Sequence, residues 1–320
     1  MLLNLFLCIA GFVLLYYGAG WLVKGAGSLA ARLGVSPLVI GLSVVAIGTS
    51  VPEILVSVLA ALGGQSNMAL GNVVGSNTCN MALGLGLAAC FFPIRASRSI
   101  VRRDMPIMLL VFVIALAFLA RGVVGRLEGI ILVALLIVYL VFYYRITRRE
   151  GYDTGELENA LAGQSCGKQL LLIVLGVIFL AAGAKLTVDA ASGLMIALGA
   201  SERFVGLTIV AVGTSLPELI TSIVAAAKKE SAISLGNIIG SNVFNLFGAL
   251  GLSAIFAPVV IPEGFFANGG VWLDYLVMFI VCALACLIMW PAASIGRKGG
   301  LVLLVVYAAY VGWLLQTQLT

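Results

Sequence analysis

The chain has 320 residues, of which 62% are hydrophobic and only 10% charged, and its mean hydropathy is +1.18. Soluble proteins carry charge on about a quarter of their residues, so this composition excludes an ordinary soluble domain and predicts an integral membrane protein. The net charge of +5 does not indicate nucleic-acid binding, because the basic residues are distributed as membrane topology requires. No disulfide, zinc or redox site is predicted, since the chain has no His and no CxxC pair.

Ten apolar segments are long enough to cross a bilayer, which takes about 20 residues of helix. The first segment lacks an N-terminal basic cluster and is followed by further spans, so we expect it to be a retained helix and not a signal peptide. The sequence therefore predicts an all-α integral membrane fold of ten transmembrane helices. In chain order the spans are 2–23, 36–62, 68–92, 104–120, 127–146, 169–190, 204–227, 232–257, 271–292 and 299–316.

The basic residues are strongly biased to one side of the membrane if the ten spans alternate in direction. Fourteen of the 18 Lys and Arg residues then lie in loops on one side. The other side has only Arg121, Arg126 and Arg203, and Lys185 lies within a span. By the positive-inside rule the basic side is cytoplasmic, so both termini are predicted to lie outside a cell (inner or plasma) membrane.

Two groups of charged residues receive structural interpretations. The cluster Arg95, Arg98, Arg102 and Arg103 is interpreted as a topology determinant and an anchor for lipid headgroups. Lys185 and Asp189 are four residues apart, a spacing that predicts an ion pair along one helix face more readily than a role in transport.

The chain contains an internal repeat. A shift of 165 positions places residues 39–93 on 204–258 without a gap, and about half of the aligned residues are identical. Each copy belongs to a unit of five spans, an odd number, so the second copy crosses the membrane in the opposite direction. The predicted organisation is a first five-helix repeat at 1–149, a polar cytoplasmic linker at 150–167, and a second, inverted repeat at 168–320.

The repeated sequence AIGTSVPE, ending at Glu53, and its copy AVGTSLPE, ending at Glu218, place carboxylates inside apolar spans. A charged group there costs several kcal/mol, so it is interpreted as functional. Pro52 and Pro217 have no backbone N–H, so we predict helix breaks that leave carbonyl groups free to face a cation. These carbonyls belong to Gly48 and Gly213 and to neighbours such as Ala46 and Ala211.

Neutral oxygens accompany both carboxylates. Together they predict an all-oxygen site at the repeat interface, with two negative charges that balance one Ca2+, and hard cations such as Ca2+ and Na+ prefer such ligands. Taken alone, the GSN motifs are explained equally well by close helix packing. The polar residues are Thr49, Ser50, Ser76, Asn77 and Asn80 in the first copy and Thr214, Ser215, Ser241, Asn242 and Asn245 in the second.

The paired motifs GTSVPE with GNVVGSN and GTSLPE with GNIIGSN resemble those of the cation/calcium exchanger superfamily, in the compact prokaryotic form of its sodium/calcium exchanger branch. The resemblance covers the whole chain. It implies that the second, third, seventh and eighth helices hold one Ca2+ site flanked by Na+ sites, and that two long peripheral helices move across this core.

Carried onto matching positions, the resemblance implies that Glu53, Glu218, Thr49 and Thr214 bind Ca2+, the threonines through their carbonyls. It implies Na+ ligands at Ala46, Ser50, Ser76, Ala211, Ser215 and Ser241, and supporting polar roles for Asn77, Asn80, Asn242 and Asn245. Many microbial relatives and the potassium-dependent exchangers have Asp where this chain has Asn245, which argues against K+ co-transport.

The resulting prediction is a secondary antiporter, not an enzyme, that exchanges Ca2+ for Na+ by alternating access without a cofactor. An antiporter of Ca2+ or another divalent cation with H+ is the alternative, although the GNxxE pattern usual in proton/calcium exchangers is absent. A passive cation channel and an intramembrane hydrolase are further alternatives, the latter disfavoured because the chain has no His to act as a base. Ca2+, Na+ and membrane lipid are the expected partners, with no nucleic acid and no obligate protein partner.

Overall fold

The computed structural model describes residues 1–150, 166–198, 211–261, 264–266 and 271–319. This part of the chain contains eight helices that are long and apolar enough to cross a membrane, and two shorter apolar helices, α4 and α7. A short helical segment, Ala211–Gly213, precedes α7. The ten helices are α1 Leu2–Leu33, α2 Pro37–Leu62, α3 Ser66–Phe91, α4 Met105–Leu119, α5 Arg126–Glu150, α6 Cys166–Ala197, α7 Leu216–Ala227, α8 Ser231–Phe256, α9 Trp272–Met289 and α10 Arg297–Leu319.

Each predicted span overlaps one of these helices, and α1 and α6 extend furthest beyond the predicted spans, which were 2–23 and 169–190. Each of these two helices has 32 residues, or about 48 Å at 1.5 Å per residue, against about 30 Å of hydrocarbon. The prediction ended the first span before Lys24, whereas the helix continues until Gly34 adopts a left-handed conformation with φ of 63°. A charged side chain does not end a helix, but a left-handed glycine cap does.

The long helices α1 and α6 pack against each other through glycines. A Cβ atom placed at Gly18 of α1 would lie 2.9 Å from the carbonyl oxygen of Gly176 in α6, and one at Gly176 would lie 2.7 Å from the backbone nitrogen of Leu22. Such distances require small residues on both helices, as in other closely packed membrane helices. They are the first helices of the two repeats, so they form a symmetric pair beside the core.

The helix breaks differ between the two repeats. In α2 the helix continues from Ala46 through Pro52 to Leu62, so the predicted break at Pro52 is wrong, and the irregularity is a π-helical segment at Gly41–Val45. A proline removes one backbone hydrogen bond, which the rest of this helix tolerates. In the second repeat a turn at 214–215 separates Ala211–Gly213 from α7, and Pro217 lies in the first turn of α7, where its missing N–H costs least.

The two repeats interlock. A Cβ atom placed at Gly129 of α5 would lie 2.6 Å from the carbonyl oxygen of Gly251 in α8. In the second repeat, a Cβ atom placed at Gly300 of α10 would lie 2.6 Å from the carbonyl oxygen of Gly86 in α3. The last helix of each repeat therefore packs against the third helix of the other repeat. The core of the bundle is α8, in which residues 233–250 are all buried.

Two short sheets also join the repeats. Strand β1, Ile94–Arg95, pairs antiparallel with β4, Ser294–Ile295. Strand β2, Val123–Val124, pairs in the same way with β3, Val259–Val260. Sequence analysis did not predict these strands, because two residues are too few to produce an alternating pattern.

The boundaries 1–149 and 168–320 remain a prediction, since most of the predicted linker 150–167 lies outside the described residues. The predicted ion pair is confirmed, with Lys185 Nζ 3.3 Å from Asp189 Oδ2.

Candidate cation-binding site

The two repeated carboxylates lie at the interface of the repeats, where each is bonded to a serine of the other repeat. The Ser50 hydroxyl donates to Glu218 Oε1 at 3.1 Å. The Ser215 hydroxyl donates to Glu53 Oε1 at 3.2 Å. The crossed bonds bring residues from α2 and from the start of α7, which are far apart in sequence, into one cluster.

Both carboxylates are buried and lack a cationic partner. Glu53 is 0% exposed and Glu218 is 1% exposed, and in the described part of the chain no Lys or Arg nitrogen lies within 4 Å of either. Each has one oxygen, Oε2, without a hydrogen-bond partner. Buried charges without a counter-charge are costly, so this pair is suited to a site that receives cations.

Glu53 and Glu218 are the two carboxylates that the described residues bring to the cluster. Among the described residues, no group of three or more His, Cys, Asp or Glu side chains could hold a metal ion. A cation between Glu53 and Glu218 would therefore complete its shell with neutral oxygens, several of which are buried near the repeat interface without a partner. These oxygens are Ser76 Oγ, Thr214 Oγ1, Asn80 Oδ1 and Asn245 Oδ1.

Two asparagines that sequence analysis did not assign to the site hold the backbone beside each carboxylate. Asn72 Nδ2 donates to the carbonyl oxygen of Glu53 at 3.1 Å and to Ser57 Oγ at 2.9 Å. Asn237 Nδ2 makes the matching bonds, to the Glu218 carbonyl oxygen at 3.2 Å and to Ser222 Oγ at 2.9 Å. The repeated GN dipeptide was the available signal, since it has the same spacing from the glutamate in both copies.

The four asparagines predicted as supporting residues are brought together between α3 and α8. Asn245 Nδ2 donates to Asn77 Oδ1 at 3.0 Å, and Asn77 Nδ2 donates to the Asn242 carbonyl oxygen at 3.2 Å. Asn80 Nδ2 lies 3.4 Å from Asn242 Oδ1. All four lie within or next to the π-helical segments Cys79–Gly84 and Phe244–Ala249, and π-helical turns are frequent at functional sites.

The remaining predicted ligands make different hydrogen bonds in the two repeats. The Thr49 hydroxyl lies 3.3 Å from the Ala46 carbonyl oxygen, 3.1 Å from Asn237 Oδ1 and 3.4 Å from Ser241 Oγ. The related hydroxyls of Thr214 and Ser76 have no partner. Ala211 lies in a short helical segment just before the turn at 214–215, and its side chain is outside the described part of the chain.

The two copies of the glycine motif also differ in exposure. Gly236 and Gly240 of α8 are buried, whereas Gly71 of α3 is exposed and Gly75 is half-buried. The glycine face of α8 therefore packs tightly against α2, whereas no atom lies within 4 Å of a Cβ placed at Gly71 or Gly75 on the same face of α3. The two repeats are therefore packed differently around the carboxylates.

Nearly the whole chain matches one known protein family. A family model described as sodium/calcium exchanger protein matches residues 3–145 and 168–316. The chain belongs to the sodium/calcium exchanger family. The resemblance inferred from the paired motifs is thus confirmed.

Full-length relatives agree with this assignment. The chain is 38% identical over 324 residues to inner membrane protein YrbG of Escherichia coli, covering 98% of each chain. It is 32% identical to the sodium/calcium exchanger MaX1 of Methanosarcina acetivorans, covering 96% of this chain and 97% of the relative. This exchanger is therefore a membrane protein of a transporter family and not of a class of enzymes.

Solved structures of the sodium-calcium exchanger NCX_Mj have the same fold. The form soaked without Na+ and Ca2+ matches with a TM-score of 0.82 and 33% identity, over 98% of this chain and 99% of that one. The form soaked with 2.5 mM Na+ and 0.1 mM Ca2+ matches with a TM-score of 0.81 and 32% identity, over 98% of both chains. The predicted all-α fold of ten helices in two inverted repeats is confirmed, and the protein is a cation/Ca2+ exchanger.

Proposed function

We propose that this exchanger transports Ca2+ in exchange for Na+ by alternating access, and that Glu53 and Glu218 are the two charged Ca2+ ligands. The observation that carries this proposal is the crossed pair of bonds from Ser50 to Glu218 and from Ser215 to Glu53. These bonds hold one oxygen of each carboxylate and leave the other oxygen without a partner. One Ca2+ neutralises both charges, which favours a divalent ion over a single monovalent one.

Neutral oxygens around the pair would complete both kinds of site. In the proposed scheme the backbone carbonyls of Thr49 and Thr214 join the glutamates on Ca2+, and Na+ binds beside them. Exchange follows if Na+ and Ca2+ share the two carboxylates, because either ion then reduces the attraction that holds the other. The proposed Na+ ligands are Ala46, Ser50, Ser76, Ala211, Ser215 and Ser241.

Asn245 supports Na+ as the coupling ion without K+. Its amide donates to Asn77 Oδ1 at 3.0 Å, a bond that an ionised aspartate could not donate. The neutral side chain leaves Glu53 and Glu218 as the two carboxylates of the cluster, so position 245 supplies no third charge for an additional cation.

Replacement of Na+ by K+ outside Ca2+-loaded proteoliposomes is expected to abolish Ca2+ efflux. An imposed H+ gradient at constant K+ is likewise expected to drive little efflux, whereas an inward Na+ gradient drives it strongly. Radioactive Ca2+ flux under each of the three gradients measures this directly.

Each result of the flux experiment has a definite meaning. Strong H+-driven efflux would replace the proposal by Ca2+/H+ antiport, and strong K+-driven efflux would contradict the argument from Asn245. Efflux that proceeds equally without any counter-ion would indicate a passive channel.

The basic residues support a topology with both termini outside and the 150–167 linker in the cytoplasm. Reporters inserted at Gly151 and Lys229 are therefore expected to read cytoplasmic, and one attached at Thr320 is expected to read external. A cytoplasmic reading at Thr320 would contradict the proposed orientation of the second repeat.

A further inference from the structure

The two repeats build one basic surface at the end of the molecule where β1 pairs with β4. It joins exposed arginines of the cluster recognised in the sequence to two exposed basic residues of the second repeat. We call this set the basic patch, and it consists of Arg95, Arg98, Arg102, Arg297 and Lys298.

Three contacts join the halves of the basic patch. Arg95 is opposite Ser294 in the β1–β4 ladder. The Arg297 Nε donates to the Cys90 carbonyl oxygen at 3.2 Å. The Arg102 guanidinium lies 6.0 Å from the centre of the Trp290 ring. The first repeat thus supplies three of the cations and the second repeat supplies two.

Within the described residues, no carboxylate balances the charge of the basic patch. In the described part of the chain, no carboxylate lies within 4 Å of any of its five members, and the nearby pair of Arg103 with Asp104 is separate. The related sheet at the opposite end differs, because there Arg121 pairs with Glu128 at 3.0 Å. Since the fold is repeated at both ends, the excess positive charge among the described residues comes from the sequence at this end and not from the architecture.

Apolar side chains border the basic patch in the way that membrane interfaces require. Trp290 is 46% exposed and Phe91 is 64% exposed, and Leu287, one turn before Trp290, is 68% exposed. Aromatic residues are typical of the headgroup level, and exposed leucines face lipid chains. A ligand with an anionic head and apolar chains fits this combination, because guanidinium groups bind phosphate oxygens through paired N–H donors.

We propose that the basic patch is a binding site for an anionic phospholipid, whose phosphate contacts Arg98 and Arg102 and whose chains lie beside Trp290 and Leu287. The lipid would bridge the two repeats at this end. This proposal does not depend on which ion drives exchange.

Quenching of Trp290 fluorescence by brominated lipid tests the proposal. The protein is reconstituted in mixed vesicles of phosphatidylglycerol and phosphatidylcholine, with one or the other lipid brominated, and the signal of the Trp290→Phe variant is subtracted. Brominated phosphatidylglycerol is expected to quench Trp290 more strongly, and added NaCl is expected to reduce this preference by screening. Equal quenching by the two lipids at low salt would overturn the proposal.

Matched variants separate a lipid site from general attraction to the membrane. Replacement of Arg95, Arg98 and Arg102 by Gln should remove most of the preference for quenching by brominated phosphatidylglycerol, since each arginine near an anionic surface contributes about fivefold. If this triple variant does not insert into the membrane, Arg98→Gln alone should still reduce the preference. The Arg121→Gln/Arg126→Gln variant at the opposite end should keep the full preference. If Arg98→Gln also keeps the full preference for phosphatidylglycerol, the arginines of the basic patch act only as topology determinants and the proposal fails.

Discussion

Exchange of Ca2+ for Na+ is expected to fall tenfold or more when Glu53 is replaced by Gln, and equally when Glu218 is replaced. Glutamine retains the volume and one carbonyl oxygen of glutamate but removes one of the two charges that face the ion. A tenfold loss requires only about 1.4 kcal/mol, which is small beside the attraction between a carboxylate and a divalent ion in a buried site. Initial rates of Na+-driven Ca2+ flux in proteoliposomes, at equal protein amounts, measure the effect.

The folded protein should tolerate both substitutions. The carboxylates are buried without a cationic partner, so their neutral amide analogues remove a cost from the ion-free state. Glu128→Gln is the matched control, because Glu128 lies at the start of α5 and pairs with Arg121 on the surface. Full exchange by Glu53→Gln or Glu218→Gln would exclude a site that depends on both charges.

A large loss of stability is expected when Gly236 is replaced by Ala. A Cβ atom at this position would lie 2.7 Å from the Leu38 carbonyl oxygen and 3.0 Å from the Leu42 nitrogen. Both are backbone atoms of α2, so the helices must separate, and overpacking of this kind costs about 1 to 3 kcal/mol. Thermal unfolding in detergent, followed by the loss of monodisperse protein, reports the change.

The sequence repeat provides the control for Gly236. Gly71 is the related residue of the first repeat, but it is exposed, so Gly71→Ala is expected to unfold close to the wild-type temperature. Equal destabilisation by the two substitutions would contradict the difference in packing between the repeats.

The inverted repeat and the paired carboxylates were predictable because both are local in sequence. A Glu in an apolar span is conspicuous, and its recurrence at a fixed spacing identifies the second copy without any knowledge of contacts. The partners of each carboxylate were harder to assign. Ser50 was grouped with the polar residues that accompany Glu53 in the first copy, whereas its hydroxyl donates to Glu218 of the other repeat.

Other features depended on packing that no local pattern reveals. The length of α1 was underestimated because Lys24 resembled the end of a span, while the helix ends at the left-handed Gly34. Pro52 was expected to break α2, yet the surrounding hydrogen bonds maintain the helix through it. The structural role of Asn72 and Asn237 depends on contacts with residues of the preceding helix, which spacing alone does not establish.

The stoichiometry of Ca2+ binding tests most directly whether the two repeats form one site. Equilibrium dialysis of the purified protein against radioactive Ca2+, without Na+, is predicted to give one ion per chain. Either Glu53→Gln or Glu218→Gln should weaken that binding by tenfold or more. Two ions per chain in the wild type, or unchanged binding of one ion in a single variant, would contradict a site made jointly by Glu53 and Glu218.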